Sequence, residues 1–240
     1  MVATKNRMLI VSAHSADYVW RSGGTIAKYV KKGWDVSVIC LSFGERGESA
    51  QQWKSGKKLD EIKDIRRDES SRAARILGVE ITFMDWNDYP LIISQDRLMS
   101  MVKALRSNAP EILITHGQKD PFNVDHVTAS ETVMESVILS QAEGVLPEIP
   151  AIRPPKVFGF EHHQPELSEF KPDVLIDITD TFDLKKKAMQ CFATQGHLIE
   201  YYSNRASMRG NHLNRMRGGS DCKYAEAFMR YFPYAGDEFP

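Results

Sequence analysis

Cysteine is scarce in this sequence. The 240 residues contain three cysteines, Cys40, Cys191 and Cys222, which are widely spaced and form no C-x-x-C pair. A disulfide scaffold needs several paired cysteines, and a cysteine-based structural zinc site needs closely spaced ones, so both classes are excluded. Reduced thiols are typical of cytoplasmic proteins, and we expect that location.

The chain also lacks a long apolar run and an excess of charge of either sign. The apolar stretch that begins at Met8 is interrupted at His14, so it is too short for a signal-peptide core or a membrane span. The 31 basic residues nearly balance the 32 acidic ones, giving a formal net charge of −1. No overall field favours nucleic acid or an anionic membrane as a partner, and we expect neither.

Hydrophobic residues, at 42%, and charged residues, at 26%, occur in the proportions of an ordinary globular protein. Short apolar runs typical of buried strands alternate with stretches typical of helices. The predicted strands cover 8–13, 36–41, 81–84, 111–115, 156–161 and 174–178, and the predicted helices cover 24–32, 59–77, 95–107, 127–141 and 182–192. A helix between two strands implies a right-handed crossover and parallel pairing. We predict one α/β domain over residues 1–240, Rossmann-like, with a mostly parallel sheet and helices on both faces.

Two stretches do not fit this alternation. Residues 44–58 are polar and contain glycine and serine, and residues 200–221 are rich in arginine, asparagine and glycine. Long irregular loops inside a compact domain are usually functional or disordered. We predict that both stretches are irregular and interpret them as candidate walls of an active site.

Polar side chains cluster directly after the predicted strands. His14 and Asp17 follow the first strand, Glu45 to Glu48 the second, His116 and His126 the fourth, and His162 and His163 the fifth. In open parallel sheets ligands bind at the carboxyl ends of the strands. The sequence therefore places the active site at that edge of the sheet.

His14, Asp17 and His126 are the metal ligands that we predict. Two imidazoles and one carboxylate suit a catalytic zinc ion with an open coordination position, although Fe(II) or Co(II) would accept the same ligands. An H-x-x-D pair alone is also typical of a helix cap or a hydrogen bond within a loop. The other histidines at the same sheet edge favour the metal.

Four motifs follow one another in this chain. They are Ala13-His14-Ser15-Ala16-Asp17, Gly23-Gly24-Thr25-Ile26-Ala27, Gly44-Glu45-Arg46-Gly47 and Asn123-Val124-Asp125-His126. In these motifs the sequence resembles the LmbE-like or PIG-L zinc-dependent N-deacetylases, which show A-H-P-D-D, G-G-T-I-A, G-E-R-G and H-x-D-H in that order. The resemblance covers most of the chain and implies zinc ligands at His14, Asp17 and His126.

Two positions depart from the deacetylase pattern. The resemblance assigns the general base to the first aspartate of H-P-D-D, where this chain has Ala16, and oxyanion stabilisation to the first histidine of H-x-D-H, where it has Asn123. An alanine side chain cannot accept a proton. Because amide hydrolysis at zinc needs both functions, the substitutions argue against ordinary deacetylation.

Two further strings, residues 12–24 and residues 160–166, resemble one branch of the family. This branch comprises the 4-oxalomesaconate hydratases, also called 4-carboxy-2-hydroxymuconate hydratases, of gallate and protocatechuate ring-cleavage catabolism. The resemblance implies a hydro-lyase that adds water to a C=C bond of a small polycarboxylate. Such a reaction needs a base for water and an acid that protonates carbon.

Glu48 is our candidate for the base, because it lies in a glycine-containing loop after the second strand, with Glu45 as the alternative. For the acid we favour His163 over His162, since neighbours on an extended chain point to opposite sides. Histidine titrates near neutral pH, as this role requires. Each of these side chains also has a purely structural interpretation, as a solvated loop carboxylate or as a histidine bonded at the sheet edge.

A polycarboxylate substrate requires cationic partners, and arginine fits carboxylates best. We predict Arg46 as a substrate-binding residue and His116 as another, unless His116 supports a metal ligand instead. The segment that holds Arg205, Arg209, Arg215 and Arg217 is equally typical of substrate binding, of solvated surface or of a contact in a homo-oligomer. Asp125 either orients a metal ligand or caps the helix predicted to begin at residue 127.

Three functions thus compete. The first is the metal-dependent hydratase, and the second is a zinc-dependent deacetylase of an N-acetylglucosaminyl substrate that uses Glu48 as its base. The third is a metal-binding protein without activity. Ala16 favours the first over the second, and the three intact ligand candidates argue against the third.

Overall fold

A computed structural model describes residues 6–219 and 221–238 of the chain. Within them the backbone forms strands β1 (Arg7–Ser12), β2 (Asp35–Cys40), β3 (Glu80–Phe83), β4 (Ile112–Thr115), β5 (Lys156–Phe160), β6 (Val174–Asp177) and β7 (Ala225–Arg230). The α-helices are α1 (Asp17–Lys31), α2 (Ala50–Lys54), α3 (Leu59–Leu77), α4 (Gln95–Asn108), α5 (Val124–Leu139), α6 (Phe182–Met189) and α7 (Leu198–Met216). Among these described helices, none has the length and apolar composition to cross a membrane.

The strands of the described residues make one sheet in the order β3-β2-β1-β4-β5-β7-β6. The first five strands pair in parallel, and β7 runs antiparallel to both of its neighbours. The predicted α/β class, with a mostly parallel sheet, is confirmed.

Helices cover both faces of the sheet, which explains why its central strands are continuous apolar runs. In β1, Met8 and Ile10 face the cluster formed with α1, α3, α6 and α7. The alternate residues Leu9 and Val11 face the cluster formed with α4 and α5. Because successive side chains of a strand point to opposite faces, each of these two cores receives every second residue.

The strand order reverses direction at β1, which has β2 on one side and β4 on the other. A crevice opens outside the carboxyl ends of two strands at such a switch point, and ligands bind there in open α/β sheets. The chain leaves β1 just before His14 and leaves β4 just before His116. The fold thus brings the two histidine-bearing loops to one place.

The prediction of an irregular segment over residues 200–221 is wrong up to residue 216, because α7 occupies that part of the chain. Its asparagines and a glycine have low helix propensity, and this suggested a loop. Packing outweighs propensity here. A Cβ on Gly210 would lie 2.5 Å from the carbonyl oxygen of Lys223, so glycine lets α7 pack directly on the chain that leads into β7.

The sequence analysis also missed β7 and the first turns of α1. In β7, Glu226 is buried and hides the apolar pattern of the strand. Its carboxylate accepts the N–H groups of Gly24 and Thr25, at 3.0 and 2.7 Å, and it pairs with Lys185 at 2.6 Å. Helix α1 begins at Asp17, not at residue 24, so the H-x-x-D motif runs straight into a helix.

Candidate active site

Four side chains that could hold a cation meet at the switch point. Suitable ligand atoms of His14, Asp17, Glu48 and His126 all lie within 4.8 Å of one another. Three of them are fully buried and Glu48 is partly exposed. The structure therefore brings together the three predicted ligands and the predicted base.

The turn from β1 into α1 positions the first two ligands. Asp17 is the first residue of α1, and its Oδ2 accepts the backbone N–H of His14 at 2.8 Å. This hydrogen bond closes the turn and keeps the two side chains together, with Nδ1 of His14 3.4 Å from Oδ2 of Asp17. The H-x-x-D spacing is thus a helix-start turn as well as a ligand pair.

His14 presents one ring nitrogen to the cluster and anchors the other. Nε2 lies 3.2 Å from Oδ2 of Asp125, whose carboxylate also accepts the N–H groups of Tyr89 and Leu91. Nδ1 lies 3.2 Å from Oε1 of Glu48 and forms no hydrogen bond. Asp125 therefore orients His14, and Nδ1 is the nitrogen available to a metal.

His126 shows the same arrangement with the opposite nitrogen. Its Nδ1 lies 2.7 Å from Oδ2 of Asp120, while its buried Nε2 has no hydrogen-bond partner. This bond to His126 outweighs burial and lowers the pKa of Asp120 to about 2. Asn123 caps α5, because its Oδ1 accepts the N–H groups of Asp125 and His126. Asp125 is therefore not the cap, and the helix begins before residue 127.

These residues fit a divalent metal ion. Two buried ring nitrogens without partners, Nδ1 of His14 and Nε2 of His126, face the Asp17 carboxylate at 3.4 and 3.5 Å. Each ring is held at its other nitrogen by a carboxylate, the usual support of metal-binding histidines. Two histidines and one aspartate are a typical zinc set that leaves a coordination position open. The ligand assignment itself stays a prediction.

The electrostatics of the cluster favour a positive charge at its centre. Burial opposes protonation of His14, yet the carboxylates of Glu48, Asp125 and Asp17 outweigh burial and raise its pKa well above the ordinary value. Burial likewise opposes ionisation of Asp17, but Arg21 and the neighbouring histidines hold its pKa well below the usual range.

Arg21 is a cation that the sequence analysis missed. It follows Asp17 by one helical turn, and its Nη1 lies 3.1 Å from Oδ1 of that aspartate. It lines the cavity beside the cluster and is 7% exposed. The spacing of four residues between Asp17 and Arg21 could have predicted this contact, since residues four apart on a helix are neighbours.

His116 lies behind the ligands. Its ring stacks on that of His126, with centroids 4.1 Å apart, and it is fully buried. Burial and His126 lower its pKa well below the ordinary value, and its Nε2 accepts the N–H of Ala13 at 2.9 Å. The structure does not bring His116 to the cavity wall, so its position supports the alternative role next to the metal ligands.

Glu48 is held by three groups. Arg66 and Gln195 lie 3.5 and 3.3 Å from its Oε2, while Oε1 faces His14. Burial would raise the pKa of Glu48, but His14 and Arg66 outweigh it and lower that pKa. The alternative base, Glu45, instead accepts the N–H of Phe43 at 3.1 Å and stands outside the cluster.

An open cavity of about 190 Å³ lies beside the cluster. Its walls include Asp17, Glu48, His126 and His163, together with Arg21, Asp120, Asn123, Gln195 and Tyr202. His163 Nδ1 lies 3.4 Å from the hydroxyl of Tyr202. Burial, Arg21 and Arg205 lower the pKa of His163. Of the two adjacent histidines, His163 and not His162 lines this cavity.

The arginines considered for substrate binding all lie outside the wall of this cavity, in different environments. Arg46 is exposed, and its guanidinium donates to the carbonyl of Asp88 at 2.8 Å, so it does not line the cavity. Arg205 and Arg209 on α7 both bind Glu161, which directly precedes the histidine pair. These two arginines hold the end of β5 in place. Arg215 and Arg217 are exposed.

Comparison with known proteins identifies the family of this chain. The sequence profile of the PIG-L family, GlcNAc-PI de-N-acetylase, matches residues 9–137, which is more than half of the 240 residues. The chain belongs to the PIG-L family. The match spans His14, Asp17, Glu48 and His126, and it confirms the family resemblance that the four motifs predicted.

Hydratases are among the similar proteins in both the sequence comparison and the structure comparison. A 4-oxalmesaconate hydratase of Pseudomonas putida KT2440 is 44% identical over 229 residues, covering 94% of this chain and 89% of its own. The crystal structure of GalB, the 4-carboxy-2-hydroxymuconate hydratase of P. putida KT2440, matches with a TM-score of 0.95 and 42% identity, covering 98% of this chain and 100% of its own.

Deacetylases of the family are less similar. Diacetylchitobiose deacetylase of Thermococcus kodakarensis is 27% identical over 197 residues, covering 79% of this chain and 70% of its own. The N,N'-diacetylchitobiose deacetylase of Pyrococcus horikoshii matches with a TM-score of 0.78 at 24% identity, covering 94% of this chain and 83% of its own. At 24% identity, the match to the P. horikoshii enzyme shows a shared fold.

Proposed function

We propose that this protein is a metal-dependent hydro-lyase that adds water to the C=C bond of 4-oxalomesaconate (4-carboxy-2-hydroxymuconate). The sequence similarity to the hydratase of P. putida and the structural match to GalB each extend over nearly the whole chain. Similarity to the deacetylases is weaker in both respects. The enzyme class follows from this difference and from the chemistry of the site.

One observation carries the proposal. The carboxylate next to the predicted metal ligands comes from Glu48, on the loop after β2, and position 16 is a fully buried alanine. A hydratase needs one group that takes a proton from water but no group that releases an amine. Of the four clustered side chains, Glu48 is the one that is not a predicted ligand, and its carboxylate can accept that proton.

The metal ion would be held by His14, Asp17 and His126. When bound, it supplies a Lewis acid that lowers the pKa of water and stabilises negative oxygen. Glu48 then accepts a proton from the attacking water, and Arg66 and Gln195 hold its other oxygen in a fixed orientation. Zinc is our proposal for the ion, because two imidazoles and one carboxylate are a typical catalytic zinc set.

His163 delivers the second proton. Attack of the water oxygen on the conjugated double bond leaves an enolate, and protonation of the adjacent carbon completes the hydration. Burial raises the pKa of Tyr202 to about 12, so this phenol keeps its proton. Its hydroxyl lies 3.4 Å from Nδ1 of His163 and orients the imidazole ring. Nε2 is then the nitrogen that protonates carbon. Exchange with solvent restores both Glu48 and His163.

The substrate is a small polyanion, and Arg21 is the cation best placed for it. Among the described residues, Arg21 is the one arginine or lysine on the cavity wall. Asp17, Glu48 and Asp120 line the same cavity, so a polycarboxylate docks only if the metal ion and Arg21 offset their charge.

We also propose a role in gallate or protocatechuate catabolism and a cytoplasmic location. The first rests on the hydratase relatives. The second is supported by three buried cysteines that are all free thiols, as expected in a reducing compartment.

A direct comparison of two substrates tests the proposal. The purified, zinc-loaded chain is assayed spectrophotometrically with 4-oxalomesaconate and, in parallel, for acetate release from an N-acetylglucosaminyl substrate. We expect turnover of the first and none of the second. Turnover of the second alone would instead establish the deacetylase with Glu48 as its base.

A further inference from the structure

A small inner cavity adjoins the active-site cavity. Its walls include Trp20, Arg21, Tyr202 and His162, and the first three of these also line the active-site cavity. The inner cavity measures about 20 Å³. A water-sized group needs roughly 10–15 Å³, so this space admits a small terminal group but not a sugar ring.

Three of its wall residues carry buried nitrogens without partners among the described residues. They are Nε1 of Trp20, Nε of Arg21 and the ring of His162, whose pKa burial lowers to about 4, so that the neutral ring donates from one of its two nitrogens. Their side chains are 3%, 7% and 2% exposed. Buried donors nearly always find an acceptor, so three of them around one cavity indicate a group that accepts several hydrogen bonds.

The two carboxylates of the wall, Glu226 and Glu161, are paired with other cations and do not accept hydrogen bonds from these nitrogens. Lys185 pairs with Glu226 at 2.6 Å, and Arg205 pairs with Glu161 at 2.7 Å. Nη1 of Arg21 contacts Asp17, on the side of the metal ligands. The ring of His162 is fixed against Gly117, where a Cβ would lie 2.1 Å from Cε1.

We propose that the inner cavity is a subsite that binds one carboxylate group of the substrate through Trp20, Arg21 and His162. A carboxylate accepts hydrogen bonds and donates none, and its charge suits the guanidinium of Arg21. The subsite rests on the proposed function for the identity of the substrate, although the binding of a simple carboxylate does not.

The subsite also explains specificity. A polycarboxylate places one carboxylate in the inner cavity and its double bond beside Glu48 and His163 in the outer one. An acetylated sugar has no anionic group for the three donors, so they would stay unsatisfied. Sites with buried donors strongly reject ligands that leave those donors unpaired.

Formate, the smallest carboxylate, probes the subsite directly. In the ¹⁵N-labelled, zinc-loaded full chain, the indole signal of Trp20 is assigned by its loss in Trp20→Phe. We expect formate to shift this signal saturably and to leave unchanged the signal of Trp34, which lies before β2 at the opposite edge of the sheet. His162→Leu should weaken formate binding about tenfold or more while the metal content stays the same, because a bond between neutral donor and anion is lost. An unshifted Trp20 signal overturns the subsite.

Kinetics provide the second test. Trp20→Phe should raise KM for 4-oxalomesaconate about tenfold with little change in kcat. The matched Trp34→Phe, which lies just before β2 at the opposite edge of the sheet and lines neither cavity, should change neither constant. His162→Gln, which keeps an N–H donor, should retain more affinity than His162→Leu. Unchanged KM in Trp20→Phe and His162→Leu refutes the subsite even if the wild type is a hydratase. A formate response in a chain that does not hydrate 4-oxalomesaconate refutes the proposed function and leaves the subsite standing.

Discussion

Oε1 of Glu48 lies 3.2 Å from Nδ1 of His14, although the two residues come from loops that follow different strands. Because β1 and β2 are parallel neighbours, their carboxyl ends lie side by side and the two loops meet. This contact gives the ligand cluster a carboxylate that position 16 does not provide.

Removal of either histidine ligand should remove the metal. His14→Ala and His126→Ala each delete one of the two unpartnered ring nitrogens, and two remaining ligands hold zinc poorly. His197→Ala, which changes an exposed histidine, is the control. Metal content of the purified, folded variants is measured by elemental analysis. Stoichiometric metal in both ligand variants would contradict the assignment.

Asp120→Asn should weaken metal binding without abolishing it. The carboxylate of Asp120 holds Nδ1 of His126 at 2.7 Å and so keeps Nε2 free for the metal. Loss of such a support typically costs roughly 10–100-fold in affinity. Competition with a chelator measures the change, with the exposed Asp96→Asn as control. Equal affinities in the two variants would show that Asp120 does not orient the ligand.

Ala16→Asp should not create an efficient deacetylase. Asn123 would still occupy the position where deacetylases have a histidine, and it is committed to capping α5. The new carboxylate should also impair hydration, because it adds negative charge where a polyanion docks. Ala16→Asn separates volume from charge in this buried position. Efficient amide hydrolysis with unimpaired hydration would contradict the account.

Arg66→Met should destabilise the protein strongly. Arg66 is fully buried between Glu48 and Glu69, at 3.5 and 3.1 Å, so its loss removes a cationic partner from two carboxylates. Breaking a buried pair costs about 3–5 kcal/mol. Arg67→Met, which breaks an exposed pair with Asp64, should cost at most about 1 kcal/mol. Urea unfolding compares the two, and similar midpoints would disprove the role of Arg66.

The pH dependence of kcat/KM should be bell-shaped. Glu48 is needed deprotonated and its pKa is lowered, so the acidic limb lies at lower pH than for an ordinary glutamate. His163 is needed protonated and its pKa is also lowered, so activity falls as pH rises through a value below that of an ordinary histidine. A bound polyanion stabilises protonated His163, and the basic limb of kcat should therefore lie at higher pH.

Variants assign these limbs, since coupled groups share their apparent pKa values. His163→Ala should remove the basic limb and lower kcat by roughly 10² or more. His162→Ala should act mainly on KM. A loss of kcat in His162→Ala with His163→Ala near the wild type would exchange the two histidines in the mechanism.

Much of the site was predictable because parallel α/β folds place function at strand ends. His14, Asp17, Glu48, His126 and His163 all lie in loops that follow strand ends or on the helices after those loops, and the topology brings them to one edge of the sheet. Ala16 and Asn123 were informative as departures from a family motif. They pointed away from amide hydrolysis before any distance was known.

Other parts of the site depend on packing that one sequence does not display. Asp120 stands six residues before His126 in an irregular loop, a spacing with no regular meaning. Tyr202 lies on α7, whose asparagines and glycine disguised the helix itself. Arg46 was predicted from its place in the Glu48 loop, but its side chain turns to the carbonyl of Asp88. Side-chain direction in loops is set by tertiary contacts of this kind.

The hydration activity of Glu48→Gln tests the central claim most directly. The claim is that this chain hydrates 4-oxalomesaconate with Glu48 as the proton acceptor. Glu48→Gln should keep its bound metal and lose roughly 10²–10⁴-fold in kcat, while the matched Glu45→Gln, in the same loop but outside the cluster, should keep most of its activity. Glu48→Gln with near wild-type hydration, or a loss confined to Glu45→Gln, would contradict the account.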